Sequence, residues 1–307
     1  MAIGRLRLKK RGYDFPPYRP PSEAYSLLLR VTRGCPWNKC LFCAMYKDVP
    51  FERRPLAEIQ EDIAYAAQLY KGTTRTIFIG DSNSLVIKAE VFGEILRTLY
   101  ASFPHLERVT SYARAATLAK KGLAELQQLR RAGLTRLHVG LESGDAETLG
   151  FIKKGATPEE MIEAGRKAKE AGFELSFYIL LGIGGSKRWQ EHADGTAAVL
   201  NRVDPHFIRV RTLTARPGSR LFTMQGTGEF AVPPPDMVLA EERRIIAGLE
   251  VTSQLLSDHI SNYLPLHGQL PDTKAELLQS LDRELGRLRA DPALIDHYRE
   301  RGQLHHL

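Results

Sequence analysis

Six short runs of leucine, β-branched and aromatic residues recur along the first two thirds of the chain: SLLLRVT (26–32), RTIFIGD (75–81), ERVTSYA (107–113), RLHVGLES (136–143), ELSFYILLG (174–182) and HFIRVRTL (206–213). Segments with helical periodicity lie between them. PLAEIQEDIAYAAQLYKG (55–72) opens at Pro55, puts Leu56, Ile59, Ile63, Ala67 and Tyr70 on one face, and stops at Gly72. PEEMIEAGRKAKEAG (158–172) has acids in its first turn, bases later and Gly172 past its end. Strand and helix in alternation build parallel pairs, because a crossover returns the chain to the same end of the sheet. The expected class is therefore α/β, either a doubly wound sheet or a barrel. With six units instead of eight, a barrel would be open on one side.

The rhythm changes after residue 225. FAVPPPD (230–236) is a proline-rich break, and helical stretches are expected over 236–257, 273–288 and 291–303, with SDHISNYLPLHGQLP (257–271) as a loop between the first two. The organisation expected is a basic arm (1–25), an α/β core (26–225) and a helical extension (226–307). At 307 residues the chain is long enough for one large core and an appendage. No run of 18 or more apolar residues and no leader-like pattern stands out, which gives a cytoplasmic expectation without membrane contact.

The formal net charge is +7, but Arg5, Arg7, Lys9, Lys10 and Arg11 supply five of those charges before any acid appears. The rest of the chain is close to neutral. The arm reads as a solvated terminus or as a contact for RNA or another anionic partner.

All three cysteines, Cys35, Cys40 and Cys43, lie within CPWNKCLFC, just after the first strand. Clustered thiols in a reducing compartment point to metal or catalysis more than to disulfides. Structural zinc takes four closed ligands, so that reading needs a distant histidine. Three thiolates also suit a [4Fe–4S] cluster in which one iron has no protein ligand.

RGCPWNKCLFC resembles the cluster motif of the radical SAM superfamily, C-x3-C-x2-C with an aromatic residue before the last cysteine, here Phe42. It departs in its first gap, where Pro36-Trp37-Asn38-Lys39 adds one residue. Further likenesses follow in order along residues 26–225. Gly80-Asp81-Ser82 is similar to the family's Gly-Gly-Glu turn, and Arg114 in SYARAATL stands where a cation would meet a methionyl carboxylate. VGLESGDAETLGFIKKG, with Glu142 and Ser143, resembles the signature of the branch containing coproporphyrinogen oxidase-like and elongator-like enzymes. LLGIGG, with Gly182, Ile183, Gly184 and Gly185, resembles the adenine-side turn.

The resemblance implies an open partial (β/α)6 barrel, a [4Fe–4S] cluster held by Cys35, Cys40 and Cys43, and S-adenosylmethionine (SAM) held by the other residues named. It implies reductive cleavage of SAM to a 5′-deoxyadenosyl radical that abstracts hydrogen from a substrate, small or macromolecular, with electrons from a donor such as flavodoxin or ferredoxin. With three cysteines there is none for a second cluster. His259, Asn262 and Tyr263, in the segment after 257, are expected as substrate contacts in a lid, or else as residues that satisfy local backbone. His192 and His206 read as packing or surface residues. The rival from another class is a non-catalytic iron–sulfur or zinc protein that binds nucleic acid through its arm.

Overall fold

The structure is a computed structural model that describes residues 17–304, with side chains through Tyr298. The basic residues Arg5 to Arg11 lie outside the described residues. Two compact units are formed, the first from residues up to Pro36 with Asp48–His138 and Lys167–Glu174, the second from Trp37–Lys47, Val139–Arg166 and residues from Leu175 on.

In chain order the first unit contains β1 (Leu27–Leu29), β2 (Thr32–Arg33), β3 (Glu52–Arg53), α1 (Leu56–Tyr70), β4 (Thr76–Ile79), α2 (Ala89–Ser102), β5 (Arg108–Ala113), α3 (Ala115–Lys120), α4 (Leu123–Arg131) and the start of β6 (Leu134–Glu142). β1, β4 and β5 are parallel, with Leu28 opposite Phe78 and Phe78 opposite Thr110. α2 shows why the crossovers are helical: Phe92, Ile95, Leu96 and Leu99 recur at spacings of three and four, and each is at most 1% exposed. Burying each such side chain contributes about 1.5–3 kcal/mol. β2 and β3 pair antiparallel through Thr32–Arg53 and Arg33–Glu52, so the cysteine loop is closed at its base by a short ladder.

The second unit takes over within β6 and continues with α5 (Ala146–Phe151), α6 (Pro158–Glu170), β7 (Glu174–Leu181), α7 (Trp189–Val203), β8 (Phe207–Thr212), α8 (Arg220–Gly226), α9 (Pro235–Gly248), β9 (Gln254–Ser257), β10 (Leu266–Gln269), α10 (Lys274–Ala290) and α11 (Ala293–Leu304). β7, β8 and β9 are parallel, with Tyr178 opposite Arg209 and Arg209 opposite Leu256. β8 alternates half-buried Phe207, Arg209 and Arg211 with buried Ile208, Val210 and Thr212. The apolar side of β7 packs toward α6, where a Cβ on Gly165 would lie 3.1 Å from Phe177 Cζ.

The six expected strands and the α/β class are present. The extension differs from the purely helical reading. Its first helix ends at Gly248, not at 257, and β9 joins β8 in parallel while β10 pairs antiparallel with β9. The cause lies in the residues after the glycine: Asp204 Oδ1 accepts from the Thr252 backbone N–H at 2.7 Å and Asp204 Oδ2 from its hydroxyl at 2.9 Å, which holds the chain extended into β9. Among the described residues no helix is long and apolar enough to cross a membrane.

Candidate functional site

Cys35 follows β2 in the first unit, whereas Cys40 and Cys43 belong to the second; all three are half-buried and none is in a disulfide. Among the described residues no three His, Cys, Asp or Glu side chains converge closely enough to hold a single metal ion. Segment 37–47 is fixed from within the second unit. Trp37 Nε1 donates to Lys153 O at 2.8 Å, and its ring lies so close to Gly155 that a Cβ there would be 2.4 Å from Cζ2. Gly155 has φ +71°, so both its conformation and its lack of a side chain are used. Asn38 donates to Tyr46 O at 2.6 Å, and Lys47 Nζ donates to Asn38 O at 2.8 Å and Cys40 O at 3.1 Å. The extra residue of the first gap thus lies in a loop that ties itself down. Phe42 is half-buried, with Lys154 Nζ 5.9 Å from its ring centroid.

In the first unit, the Gly80-Asp81-Ser82 turn follows β4. The Gly80 N–H donates to Leu29 O at 2.9 Å, and Ser82 Oγ donates to Gly34 O at 3.0 Å, next to Cys35. Asp81 is 2% exposed and lies 3.3 Å from Arg30 Nε. Arg114 precedes α3, with its N–H donating to Asn83 Oδ1 at 3.2 Å, while Asn83 Nδ2 donates to Thr117 Oγ1 at 2.8 Å. Asn83 is 1% exposed and was not singled out from the sequence.

At the end of β6, Glu142 has φ +63° and is the centre of a γ-turn closed by Ser143 N–H to Leu141 O at 2.8 Å, a strained backbone of the kind kept at functional sites. Its Oε1 lies 2.9 Å from Lys154 Nζ. Ser143 is fully buried. Its Oγ accepts from the Asp145 N–H at 3.0 Å and lies 2.8 Å from His192 Nδ1, while His192 Nε2 lies 2.8 Å from Glu241 Oε1. The Glu241 carboxylate beside Nε2 favours the proton on that nitrogen, which leaves Nδ1 to accept from the Ser143 hydroxyl; this tautomer is assigned from the network. Glu241 also accepts from the Gly182 N–H, at 3.0 and 3.2 Å, and the Gly144 N–H donates to Thr196 Oγ1 at 3.0 Å. Ser143, His192 and Glu241 stand in the order of a hydrolytic triad. All three are 0% exposed, so no substrate carbonyl reaches the hydroxyl, and the network instead fixes the turns that end β6 and β7.

His192 was read from sequence as packing or surface; it is buried and polar, with a specific role. A signal existed, since His192 and Thr196 fall on the same stripe of α7 as Val199, Leu200 and Val203. Asp145 caps α5 through the Thr148 N–H and meets Arg188 with two bonds of 3.0 Å. Burial raises its pKa, but the bonds from Arg188 and Thr148 outweigh this and bring it down to about 2. Ile183 is fully buried and Gly184 half-buried, packed against Arg188 O and His192 Cβ of the following helix region.

In the segment after β9, Asn262 uses its whole amide internally. It donates to Val210 O at 3.0 Å and Ser257 Oγ at 2.9 Å and accepts from Thr212 Oγ1 at 3.1 Å. His259 Nδ1 lies 2.8 Å from Ser261 Oγ, and the Tyr263 and Tyr298 ring centroids are 5.8 Å apart. The segment is thereby clamped to the carboxyl-terminal end of β8.

A family model described as "Radical SAM superfamily" matches residues 29–194, more than half of the chain. Among curated proteins, an "Uncharacterized methyltransferase" of Pyrococcus horikoshii is 24% identical over 68% of this chain and 44% of its own length. The heme chaperone HemW of Bacillus subtilis is 23% identical over 76% of this chain and 60% of its own, and a biotin synthase of Salinispora tropica 25% identical over 85% and 81%. The chain thus spans less than two thirds of the first two. Among solved structures, coproporphyrinogen III oxidase HemN from Escherichia coli aligns with TM-score 0.56 at 16% identity, over 72% of this chain and 51% of that one. The methyltransferase TsrM from Kitasatospora setae, solved with cobalamin and a [4Fe–4S] cluster, aligns with TM-score 0.54 at 20% identity, over 69% and 42%. At these identities the structural likeness shows the fold alone.

Proposed function

Because the chain belongs to the radical SAM superfamily, whose enzymes bind a [4Fe–4S] cluster and SAM, we propose that Cys35, Cys40 and Cys43 are the cluster ligands of a radical enzyme that abstracts hydrogen from its substrate. The observation that carries this reading is the donor set: three half-buried thiols in one loop, tied down through Trp37, Asn38 and Lys47. Cysteines that ligate different irons of a cluster stand farther apart than ligands of one ion, so the lack of a tight single-ion group is compatible with this donor set. When bound, the cluster and SAM supply reductive cleavage of the sulfonium and hydrogen-atom abstraction.

The protein's own residues have separable tasks in this reading. Phe42 and Lys154 flank the loop, and Glu142, held at 2.9 Å from Lys154, presents a carboxylate at the end of β6 for ribose hydroxyls or an ammonium group. Gly80, Asp81, Ser82 and Arg114, in the first unit, are assigned to SAM on the resemblance of their sequence motifs alone. Ser143 and Gly182, through His192 and Glu241, keep the turns after β6 and β7 in place, with Ile183 and Gly184 beside them. The 258–263 segment, clamped by Asn262, lies at the carboxyl-terminal end of β8, which supports a role for His259 and Tyr263 in closing over a substrate.

Segments 37–47, 151–157 and 216–222 carry Lys39, Lys47, Lys153, Lys154, Arg216 and Arg220 and no acid. Leu41 joins them by accepting from the Leu221 N–H at 2.8 Å and donating to Ile152 O at 2.9 Å. That supports an electron donor with an acidic face, such as flavodoxin or ferredoxin, in the cytoplasm. The test of the ligand assignment is iron and sulfide content after anaerobic reconstitution. Single Cys→Ala variants at 35, 40 and 43 are expected to lose most of the bound iron, while wild-type retention in any one of them removes that residue from the set.

A further inference from the structure

On the face of β7 and β8 turned away from α6, two arginines stand without a counter-ion among the described residues. Arg209 and Arg211 alternate with buried Ile208 and Val210 along β8, and both are half-buried. Arg209 lies opposite Tyr178 in register, and Arg211 opposite Leu180, with the Arg211 guanidinium 5.4 Å from the Tyr178 ring centroid. Two polar atoms here are orphaned inside the fold. Arg209 Nε and Ser176 Oγ are both buried without a hydrogen-bond partner, and Ser176 is 0% exposed.

No nearby carboxylate on these strands answers the charge. Glu174, at the first position of β7, is engaged by Arg136 at 2.8 Å. Asp258, one residue past β9, is exposed and makes no ion pair with Arg211 among the described residues. A half-buried guanidinium with an unsatisfied N–H is costly to keep, and so is a buried hydroxyl with nothing to bond. A ligand that brings acceptor oxygens to the exposed part of the two guanidinium groups offsets the cost of the arginine charges; the sealed Ser176 hydroxyl is not reached. The planar guanidinium fork fits carboxylate and phosphate alike, in paired charge-assisted bonds.

We propose that this face binds an anionic group of the substrate, a carboxylate or a phosphate, with the half-buried Arg209 and Arg211 as its cationic contacts. The assignment rests on the enzyme reading above, because it names the anchoring group of that enzyme's substrate. Its position suits the role: Arg211 is one residue from the carboxyl-terminal end of β8, the end at which α/β folds place their ligands. Tyr178 beside Arg211 adds an apolar wall for the carbon skeleton that carries the anion.

The experiment compares the reconstituted protein with its Arg209→Met/Arg211→Met variant, using pyrophosphate and succinate as probes and sodium chloride at equal ionic strength as control. The midpoint of thermal unfolding and the dissociation constant by calorimetry are measured. One probe is expected to raise the wild-type midpoint above the chloride control, the phosphate or the carboxylate arm naming the class, and the double variant is expected to bind it at least tenfold more weakly. Should the double variant fail to fold, Arg209→Lys/Arg211→Lys retains the charge without the fork and is expected to show the same loss. Three results overturn the proposal: no shift by either probe, an equal shift in the variants, which marks an adventitious ion only, or a matching loss of SAM affinity, which assigns the arginines to the cofactor. Absence of SAM cleavage in wild type, by contrast, leaves the anion shift readable, so the two readings fail separately.

Discussion

Gly195 lies in the interior of α7, where alanine is ordinarily the better residue by about 1 kcal/mol. Its neighbour across the packing is Gly144, the residue after Ser143, and a Cβ on Gly195 would lie 2.8 Å from Gly144 C and O and 2.9 Å from Asp145 N. The contact is with backbone, which cannot rotate away. Gly195→Ala is therefore expected to destabilise by about 1–3 kcal/mol instead of stabilising, read as a lower urea midpoint, and to weaken SAM binding because the turn after β6 moves. At this scale the site was partly legible. The cysteines and the Glu142-Ser143-Gly144 stretch stand out as residue types in a spacing. What does not stand out is the use each makes of its partners: Ser143, expected beside SAM, spends its hydroxyl on His192, and Glu142 holds a γ-turn against Lys154, a pairing between residues twelve apart in sequence.

α7 and α9 are joined through His192 and Glu241, and the next residue of α9, Glu242, is buried as well. Burial raises the Glu242 pKa to about 7, the charge of Glu241 adds to this, and the bond with Ser257 opposes it. The folded state then holds a proton that the unfolded state releases near 4.5, the ordinary value for a glutamate. Stability from this group is present below that pH and is lost as pH rises through about 7. Unfolding midpoints measured from pH 5 to pH 8 are expected to fall less steeply in Glu242→Gln than in wild type. His192→Ala leaves the buried Glu241 without its imidazole neighbour and is expected to cost about 1–3 kcal/mol, with Glu241→Gln in the same background recovering part of it in denaturant unfolding.

The βα rhythm was readable because its signal is local: apolar runs bounded by glycines, as in 55–72 and 158–172. The hairpin of β9 and β10 was not, because Leu249 and Leu255 continue the apolar pattern past Gly248, and Asn201 and Asp204, far back in sequence, accept from the Glu250 and Thr252 N–H groups and hold that stretch extended. Glu241 and Glu242 did leave a trace, since they interrupt the stripe formed by Val238, Leu239, Ile245 and Ile246, an arrangement that demands partners for both acids.

For the whole molecule, the acid-free segments around the cysteine loop predict how electrons arrive. Cluster reduction by flavodoxin is expected to slow with rising salt, because charge-steered encounter is screened. Lys153→Glu/Arg220→Glu is expected to slow it further, while reduction by dithionite keeps its rate; stopped-flow absorbance separates the two reductants. The extension shares contacts with the same functional turns, because Glu241 of α9 accepts from Gly182 and Asn262 clamps the 258–263 segment to β8. The central claim is that three cysteines of one loop hold a cluster with an iron left for SAM. It is tested most directly by reconstituting the chain anaerobically with iron and sulfide, adding SAM and a strong one-electron reductant, and quantifying 5′-deoxyadenosine and methionine. The account predicts both products in wild type and neither in Cys35→Ala, Cys40→Ala or Cys43→Ala; a wild-type protein with a full complement of iron and sulfide that leaves SAM intact would contradict it.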